Sequence, residues 1–218
     1  MPSPTLTDKV AKLIRDDILF GELQPSEKLV VAELKEKYNV GASPIREALV
    51  QLSWSKYVQL EPQKGCWVAP ISQDELNDLY ESLRFVSKIL LKKAIETGDE
   101  SWELDVLAAF HRLSRTRQNI DELDWSKYEE QHSLFHISLL EGANSSKLFE
   151  FFSDVISQIK RYRYLAMSRA NDEYLFDIDE QEMIMKCALA KDADQAADIL
   201  DKHLLKDMQI INTVLEIA

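Results

Sequence analysis

The chain has 218 residues, of which 45% are hydrophobic and 29% are charged. This composition is apolar enough to bury one large core or two small ones, and it argues against a disordered chain. Only five glycines and six prolines are present, so the composition favours helices over an all-β sandwich or barrel. The formal net charge of −12 argues, taken alone, against a nucleic-acid partner.

The charge is distributed unevenly along the chain. Residues 1–72 contain nine basic and nine acidic residues, whereas the remainder contains 17 basic and 29 acidic residues. A neutral segment followed by a strongly acidic one predicts two domains with different roles. The sequence contains no long apolar run and no basic segment followed by an apolar run, so we expect a cytoplasmic protein without membrane contact.

Three short helices are predicted at the start of the chain. Apolar residues recur at helical spacing over residues 5–20, with Thr7 as the expected N-cap, and a second helix is expected over residues 30–38. Ser43 is the expected N-cap of the third helix. Pro44 would then occupy the first helical position, where its missing N–H costs nothing.

The pattern changes to alternation after these helices. Val58 and Leu60 alternate with polar neighbours, which predicts a strand. Residues 62–65 are the predicted turn, and residues 66–69 are the predicted second strand of a β-hairpin. Three short helices followed by one hairpin are typical of a winged helix-turn-helix. We predict this domain for residues 1–71.

Residues 72–218 are predicted to form a second, all-helical domain. Ser72 and Glu75 form a capping-box pattern at its start, and Asp192 is an expected N-cap near its end. Six helices joined by short connections indicate an antiparallel bundle, so the predicted fold class is mainly α with a single hairpin. The expected helices cover residues 72–95, 100–118, 124–142, 145–168, 171–190 and 193–216.

Arg46 is the first candidate for DNA recognition. The buried stripe of the third helix leaves Arg46 in the first turn, facing outward, where a recognition helix meets base edges or phosphates. The hairpin tip is Gln63-Lys64-Gly65. Lys64 supplies one cation, and Gly65 has no side chain, which lets the backbone approach DNA closely. On its own, the pattern also allows Arg46 to pair with a carboxylate on a solvated surface.

The same residues resemble a known family. The segment from Ile14 to Val68, and above all Ser43-Pro44-Ile45-Arg46-Glu47-Ala48-Leu49, is similar to the N-terminal domain of GntR-family bacterial transcription regulators. The resemblance implies that Ser43, Pro44 and Arg46 contact operator DNA and that Gly65 lies at the minor groove. Gly41-Ala42 and Ala32 depart from the polar and basic residues common in the family, which predicts weaker binding or a different operator.

Two histidines one helical turn apart form the second candidate site. His132 and His136 project from the same face of one helix, at a spacing that can chelate a divalent metal. Ordinary, partly buried histidines of an amphipathic helix show the same spacing. The tripeptide between them lacks the glutamate of a His-Glu-x-x-His motif, so a metal-dependent hydrolase is only a minor alternative.

The acidic domain also resembles a known family. Leu134-Phe135-His136, Gly142-Ala143-Asn144 and His203-Leu204 are similar to the FCD effector domain of FadR-like GntR regulators. The resemblance implies one divalent metal, Zn or Ni, beneath a small effector, with His132, His136 and His203 as ligands. His132 replaces the family's aspartate and Gln181 replaces a histidine, so metal binding is left open.

The FCD resemblance further implies an effector with a carboxylate group, because arginine forks bind carboxylates bidentately and the family places an arginine at the position of Arg84. Each arginine is alternatively a solvated or salt-bridged surface residue. His132 and the Gln63-Lys64-Gly65 wing are similar to the carbon-starvation-induced branch of the subgroup, which implies a dicarboxylate such as glutarate, or a hydroxy acid. The candidate effector-binding residues are Arg84, His132, Asn144, Arg161, Arg163 and Gln181.

These observations predict a homodimeric, ligand-responsive repressor that binds double-stranded operator DNA and is released by a small carboxylate. We do not expect an enzyme. A module that uses its winged helix to bind another protein stays open as an alternative, because an acidic bundle permits it. A salt-dependent affinity for DNA would separate the two hypotheses.

Overall fold

The computed structural model describes residues 3–116, 125–169 and 178–215. Within these ranges the chain forms nine α-helices and one antiparallel hairpin, and the predicted fold class is confirmed. None of the helices in the described ranges is long and apolar enough to cross a membrane. The elements are α1 (Leu6–Leu19), α2 (Val31–Tyr38), α3 (Ala42–Trp54), β1 (Val58–Glu61), β2 (Gly65–Val68), α4 (Gln73–Thr97), α5 (Glu100–Thr116), α6 (Trp125–Glu141), α7 (Ser146–Arg169), α8 (Ile178–Leu189) and α9 (Ala193–Leu215).

The described residues divide into two compact units. Unit 1 contains those of Met1–Leu76, Ile156–Ala170 and Ile211–Ala218, and unit 2 contains those of Asn77–Val155 and Asn171–Ile210. Helices α4, α7 and α9 therefore contribute residues to both units. The domain boundary between residues 71 and 72 stays a prediction.

The core of unit 1 is that of a winged helix-turn-helix. Ile14 of α1 and Ile45 of α3 are fully buried, and Leu34 of α2 and Val68 of β2 belong to the same apolar cluster. Each helix thus turns one apolar stripe toward a shared core. Tyr164 of α7 packs against this core as well, so unit 1 includes part of a helix that lies far along the chain.

The N-cap of α1 is Thr5, and the prediction of Thr7 is wrong. Thr5 Oγ1 accepts a hydrogen bond from the Asp8 backbone N–H at 3.1 Å, and the Asp8 carboxylate accepts one from the Thr5 N–H at 2.9 Å. These two bonds complete a capping box. The Thr7 hydroxyl instead donates to the carboxylate of Glu47 in α3, at 2.8 Å.

Helix α3 begins one residue before Ser43, so the predicted N-cap is wrong here too. Its N-cap is Gly41, whose backbone is extended. Ser43 lies inside the first turn and its hydroxyl donates to Glu47 at 3.1 Å. Pro44 is tolerated there because the first N–H groups of a helix have no intrahelical partner. Gly41 has no side chain, so it cannot accept a hydrogen bond from the first N–H groups of α3.

The predicted wing is the hairpin β1–β2. Val58 pairs with Val68 and Glu61 pairs with Gly65, which leaves residues 62–64 as the loop. Gly65 has a φ of 137°, a backbone conformation that glycine adopts readily and other residues rarely do. The loop geometry therefore depends on a glycine at this position.

The six helices predicted after residue 72 correspond to α4–α9. The Asp192 carboxylate accepts from the Gln195 N–H at 3.1 Å, which is the predicted cap of α9. In unit 2, Trp102 of α5 is buried, donates its indole N–H to the Ser138 carbonyl at 3.0 Å, and fills the space beside Gly98. Residues 117–118, 124, 171–177 and 216 of the predicted helices lie outside the described residues.

Candidate DNA-binding surface and histidine cluster

The first turns of α3 present Arg46 to solvent. Arg46 is exposed and belongs to none of the ion pairs that the described residues form. The neighbouring carboxylate of Glu47 is held by Thr7 and Ser43. Arg46 therefore lacks the carboxylate partner that would make it a salt-bridged surface residue, and its guanidinium can bind a base edge or a phosphate bidentately.

The wing tip carries one cation in a weak ion pair. Lys64 Nζ lies 2.9 Å from Glu61 Oε2, and the Lys64 side chain is 75% exposed. The hydrogen bond with Glu61 raises the pKa of Lys64, so the ammonium stays charged at neutral pH. Exposed pairs of this kind contribute little stability, and a DNA phosphate can replace Glu61 as the partner. Gln63 precedes Lys64 in the loop with a positive φ of 63°.

Lys28 is a second basic residue at the wing, and sequence reasoning missed it. Leu29 N–H donates to the Cys66 carbonyl at 2.8 Å, and Lys28 forms an isolated β-bridge with Trp67. Lys28 Nζ lies 5.5 Å from the centroid of the Trp67 ring, as a cation–π contact. A single bridge is too short to produce an alternating pattern, so the sequence carried no strand signal for this segment.

Three buried histidines from two helices meet in unit 2. His132 and His136 belong to α6 and His203 belongs to α9, and all three are buried. One ring nitrogen of each lies within 4.8 Å of the others. The structure thus brings together the three residues that the FCD resemblance implied as metal ligands. Together with Gln181 of α8 they form what we call the histidine cluster.

Glu180 fixes the tautomer of His203. His203 Nδ1 lies 2.8 Å from Glu180 Oε2, and Glu180 Oε1 accepts a hydrogen bond from Lys206 Nζ at 3.0 Å. An ionised carboxylate only accepts hydrogen bonds, so Nδ1 carries a proton, and in a neutral imidazole Nε2 then presents its lone pair to the cluster. A carboxylate behind a histidine in this way orients metal-binding imidazoles in many proteins.

Gln181 lies between the ring nitrogens. It is 1% exposed, and its Nε2 lies 2.7 Å from His203 Nε2 and 3.3 Å from His132 Nε2. One amide nitrogen therefore serves two imidazole nitrogens, while Gln181 Oε1 is buried and accepts no hydrogen bond from the described residues. The three imidazole nitrogens fit one transition-metal ion such as Zn or Ni, which would replace the Gln181 amide hydrogens as their partner.

Arg84 is occupied by a partner within the chain. Its Nε and Nη2 donate to the two carboxylate oxygens of Asp201 at 2.8 and 2.9 Å. These hydrogen bonds lower the pKa of Asp201. Lys88 Nζ lies 3.6 Å from the same carboxylate. The three side chains line a groove of about 370 Å³ between α4 and α9, and no histidine is among its lining residues.

Arg161 and Arg163 are both buried and both belong to unit 1, whereas the histidine cluster belongs to unit 2. Arg161 Nη1 donates to the carbonyl oxygens of Ala69 and Pro70 at 3.3 and 3.2 Å. Its Nη2 lies 3.3 Å from Glu75 Oε2. The guanidinium therefore holds the segment after β2 against α7.

Tyr162 reinforces this contact. Its hydroxyl accepts a hydrogen bond from the Ser72 N–H at 3.2 Å and donates one to the Glu75 carboxylate. Burial, together with the Glu75 carboxylate, raises the pKa of Tyr162 above its ordinary value, so the hydroxyl remains a donor. We call Arg161, Tyr162 and Glu75 the arginine cluster.

Asn144 lies at the surface turn between α6 and α7. It is exposed, has a φ of 50°, and donates from Nδ2 to the Gly142 carbonyl at 3.2 Å. Of the six predicted effector residues, the structure brings together His132 and Gln181. It gives Arg84, Asn144 and Arg161 contacts of their own, and it places Arg163 in unit 1.

Both parts of the chain match known protein families. Residues 6–68 match the family described as bacterial regulatory proteins, gntR family, and residues 78–206 match the FCD domain. The chain belongs to the GntR family. It is therefore a DNA-binding transcription regulator with an FCD effector domain and not an enzyme, as the sequence predicted.

Relatives with similar sequences cover almost the whole chain. The chain is 33% identical to the HTH-type transcriptional repressor GlaR of Escherichia coli, over 91% of this chain and 92% of that protein. It is 28% identical to the uncharacterized HTH-type transcriptional regulator BphR of Paraburkholderia xenovorans, over 95% of this chain and 85% of that protein.

Solved structures share the fold at lower sequence identity. The chain superposes on Escherichia coli McbR/YncC with a TM-score of 0.78 and 17% identity, covering 96% of this chain and 98% of that one. It superposes on a putative GntR transcriptional regulator from Rhodococcus sp. RHA1 with a TM-score of 0.75 and 22% identity, covering 95% and 97%. At this level of identity the likeness concerns the fold alone.

Proposed function

We propose that this GntR regulator is a homodimeric repressor whose operator binding is weakened by a small carboxylate held at the histidine cluster. The single observation that carries the proposal is the buried histidine cluster in the FCD domain. Buried polar groups cost free energy unless they are paired. A cluster that brings three imidazole nitrogens within 4.8 Å of one another, beside a buried Gln181 Oε1 that accepts no hydrogen bond from the described residues, is better explained by ligand binding than by stability.

The proposed site consists of His132, His136 and His203 around one divalent metal, with Gln181 beside them. The metal would supply a Lewis-acidic position for one carboxylate of glutarate or of a hydroxy acid. His203 is already in the tautomer that binds a metal through Nε2, because Glu180 accepts its Nδ1 proton. We leave Arg84, Asn144, Arg161 and Arg163 out of this site because of where they lie and what they contact.

Repression and dimerisation are supported by the relatives and by the recognition helix. GlaR and RspR of Escherichia coli are both named transcriptional repressors. A two-fold dimer would present two copies of α3 at a fixed separation, which suits a palindromic operator. Contacts from Ser43, Pro44 and Arg46 in the major groove, and from Gln63, Lys64 and Gly65 at the wing, would then occur twice.

The experiment is a fluorescence anisotropy titration of DNA from upstream of the protein's own gene, with and without glutarate, at two salt concentrations. We expect tight binding that weakens steeply with salt, as phosphate contacts require, and that weakens further with glutarate. A hydroxy acid and an uncharged amide of glutarate serve as comparison ligands. Specific DNA binding that no carboxylate changes would contradict the proposed effector class.

Arg46→Ala tests the assigned DNA contact. Each bidentate contact with a base discriminates by about 1–3 kcal/mol, so we expect loss of specific operator binding with an unchanged oligomeric state. The matched control is Arg112→Ala, which removes an equally charged, exposed arginine from α5. Specific binding retained by Arg46→Ala would contradict this role of Arg46.

A further inference from the structure

The outer face of the wing carries a lysine beside the tip. Residues of β2 alternate between two faces: Cys66 and Val68 are buried. Gly65 is exposed and Trp67 is half-buried on the opposite, outer face. Lys28 is exposed, bridges to Trp67 and lies over its ring, so the lysine side chain is on this outer face as well. A Cβ atom at position 65 would lie 3.5 Å from Lys28 Cε, which places the lysine against the tip glycine.

Backbone hydrogen bonds hold the segment around Lys28 against β2. The Leu29 N–H donates to the Cys66 carbonyl at 2.8 Å, and the Val68 N–H donates to the Glu27 carbonyl at 2.8 Å. These two bonds lie on either side of Lys28 in the sequence. The backbone of the lysine is therefore fixed relative to the wing, although the segment is too short to form a third strand.

The Lys28 side chain is ordered by an aromatic ring. Its Nζ lies 5.5 Å from the centroid of Trp67, within the range of a cation–π contact. An ammonium has three N–H donors, so the side turned away from the ring can still bind an anion. A lysine that is already ordered loses less conformational freedom when it binds.

The charge of Lys28 is not neutralised by its neighbours. The carboxylate of Glu61, at the end of β1, is paired with Lys64 at 2.9 Å. The carboxylate of Glu27 accepts a hydrogen bond from the Gln24 N–H at 2.7 Å. In the part of the chain that the structure describes, Lys28 forms no ion pair with a carboxylate. An exposed cation of this kind can bind a phosphate and release its counterions.

We propose that Lys28 binds a phosphate of the operator backbone beside the wing, and that Trp67 positions it for this contact. The inference rests on the proposed function, which places DNA at the wing tip next to Gly65. Lysine binds a phosphate as a point charge. The contact therefore strengthens DNA binding without reading the sequence.

Fluorescence anisotropy of the full chain over a series of KCl concentrations tests the contact. The probes are the duplex from upstream of the protein's own gene and an unrelated duplex of equal length. Lys28→Gln is expected to weaken binding to both duplexes equally, by about 10-fold at low salt. Each phosphate contact contributes about 0.9 to the slope of log Kd against log salt concentration, so a dimer that loses two contacts loses about 1.8.

Two further variants control for the charge change. Lys56→Gln removes an equally charged, exposed lysine that follows the far end of α3, and we expect it to keep the wild-type slope. Lys28→Arg retains a cation at the proposed contact, so we expect this variant to keep the wild-type slope too. A thermal unfolding midpoint far above the assay temperature shows that each variant is folded.

A double-mutant cycle tests the positioning role of Trp67. Trp67→Leu removes the ring but keeps an apolar side chain. We expect it to weaken DNA binding about threefold in the wild type and by less than about 1.5-fold in the Lys28→Gln background, because the ring acts through the lysine.

The outcomes separate this inference from the function on which it rests. A Lys28→Gln slope equal to that of Lys56→Gln would overturn the phosphate contact while leaving the proposed regulator in place. A changed ratio of affinities for the two duplexes would overturn the assignment to phosphate, since Lys28 would then read bases. An equal effect of Trp67→Leu in both backgrounds would overturn its positioning role. A wild-type chain without salt-dependent binding to either duplex would overturn the proposed function itself.

Discussion

The two compact units each bury a polar cluster, and the clusters differ in how their hydrogen bonds are matched. In the arginine cluster, the two terminal nitrogens of Arg161 donate to two backbone carbonyls and a carboxylate, while its Nε is buried without a partner among the described residues. In the histidine cluster, the two amide hydrogens of Gln181 Nε2 can serve two ring nitrogens, while Gln181 Oε1 is buried and accepts no hydrogen bond from the described residues. Burial alone therefore does not identify a binding site. The chemical type of the unsatisfied atom is more informative, because an oxygen acceptor beside three imidazole nitrogens suits a metal ion, whereas a guanidinium N–H donor does not.

Among the substitutions that test this difference between the two clusters, removal of His203 is expected to have the largest effect, on metal content. His203→Ala deletes one of three imidazoles whose nitrogens lie within 4.8 Å of one another. After loading with Zn or Ni and dialysis, we expect the wild type to retain about one equivalent of metal and the variant to retain none. Metal content is measured by elemental mass spectrometry. The control is His111→Ala, since His111 is exposed on α5 and lies outside the cluster. Equal metal content in all three proteins would mean that the cluster is not the metal site.

Removal of the buried guanidinium is expected to destabilise unit 1. Arg161→Met preserves much of the apolar stem but leaves the carbonyls of Ala69 and Pro70 without this donor, which costs about 2–4 kcal/mol. The measurement is the urea midpoint of unfolding. Arg169→Met is the control, because Arg169 is exposed near the end of the same helix. Equal midpoints for the two variants would refute a structural role for Arg161.

Removal of the carboxylate behind His203 is expected to have the smallest of these effects. Glu180→Gln keeps the shape of the side chain but no longer fixes the His203 tautomer, so we expect metal affinity to fall by about 10-fold to 100-fold. Competition with a chelator of known affinity measures this change. Glu182→Gln is the control, because Glu182 pairs with Lys186 on the surface of the same helix. A Glu180→Gln affinity equal to that of the control would count against the assigned tautomer.

The exposure of Arg46 and the presence of the hairpin could be predicted because their signals are local in sequence. Arg46 lies within one helix, and the structure exposes it as the helical pattern predicted. The wing tip is the loop between two adjacent strands, and its turn residues marked it in the sequence. The caps at Thr7 and Ser43 were misassigned because several hydroxyl residues near each helix start satisfy the same rule, and only the contacts made by Thr5 and Glu47 decide between them.

The helical unit was harder to predict because its contacts join distant residues. His132 and His136 were recognisable from their spacing on one helix. The contact with His203 instead required a family resemblance, because periodicity does not determine which helices adjoin. Arg84 shows the same limit: its partner Asp201 is 117 residues away. An arginine that looked available to an effector is therefore engaged by a carboxylate that no local pattern could reveal.

Helix α7 has a consequence for how this protein can be recombined with others. The helix is continuous over Ser146–Arg169, yet its second half belongs to unit 1, where Arg161 and Tyr162 hold the segment after β2 and Tyr164 packs against the winged-helix core. A gene fusion cut after residue 71 would discard these contacts. A chimera that transplants the DNA-binding part onto a different sensor must therefore carry the second half of α7 with it.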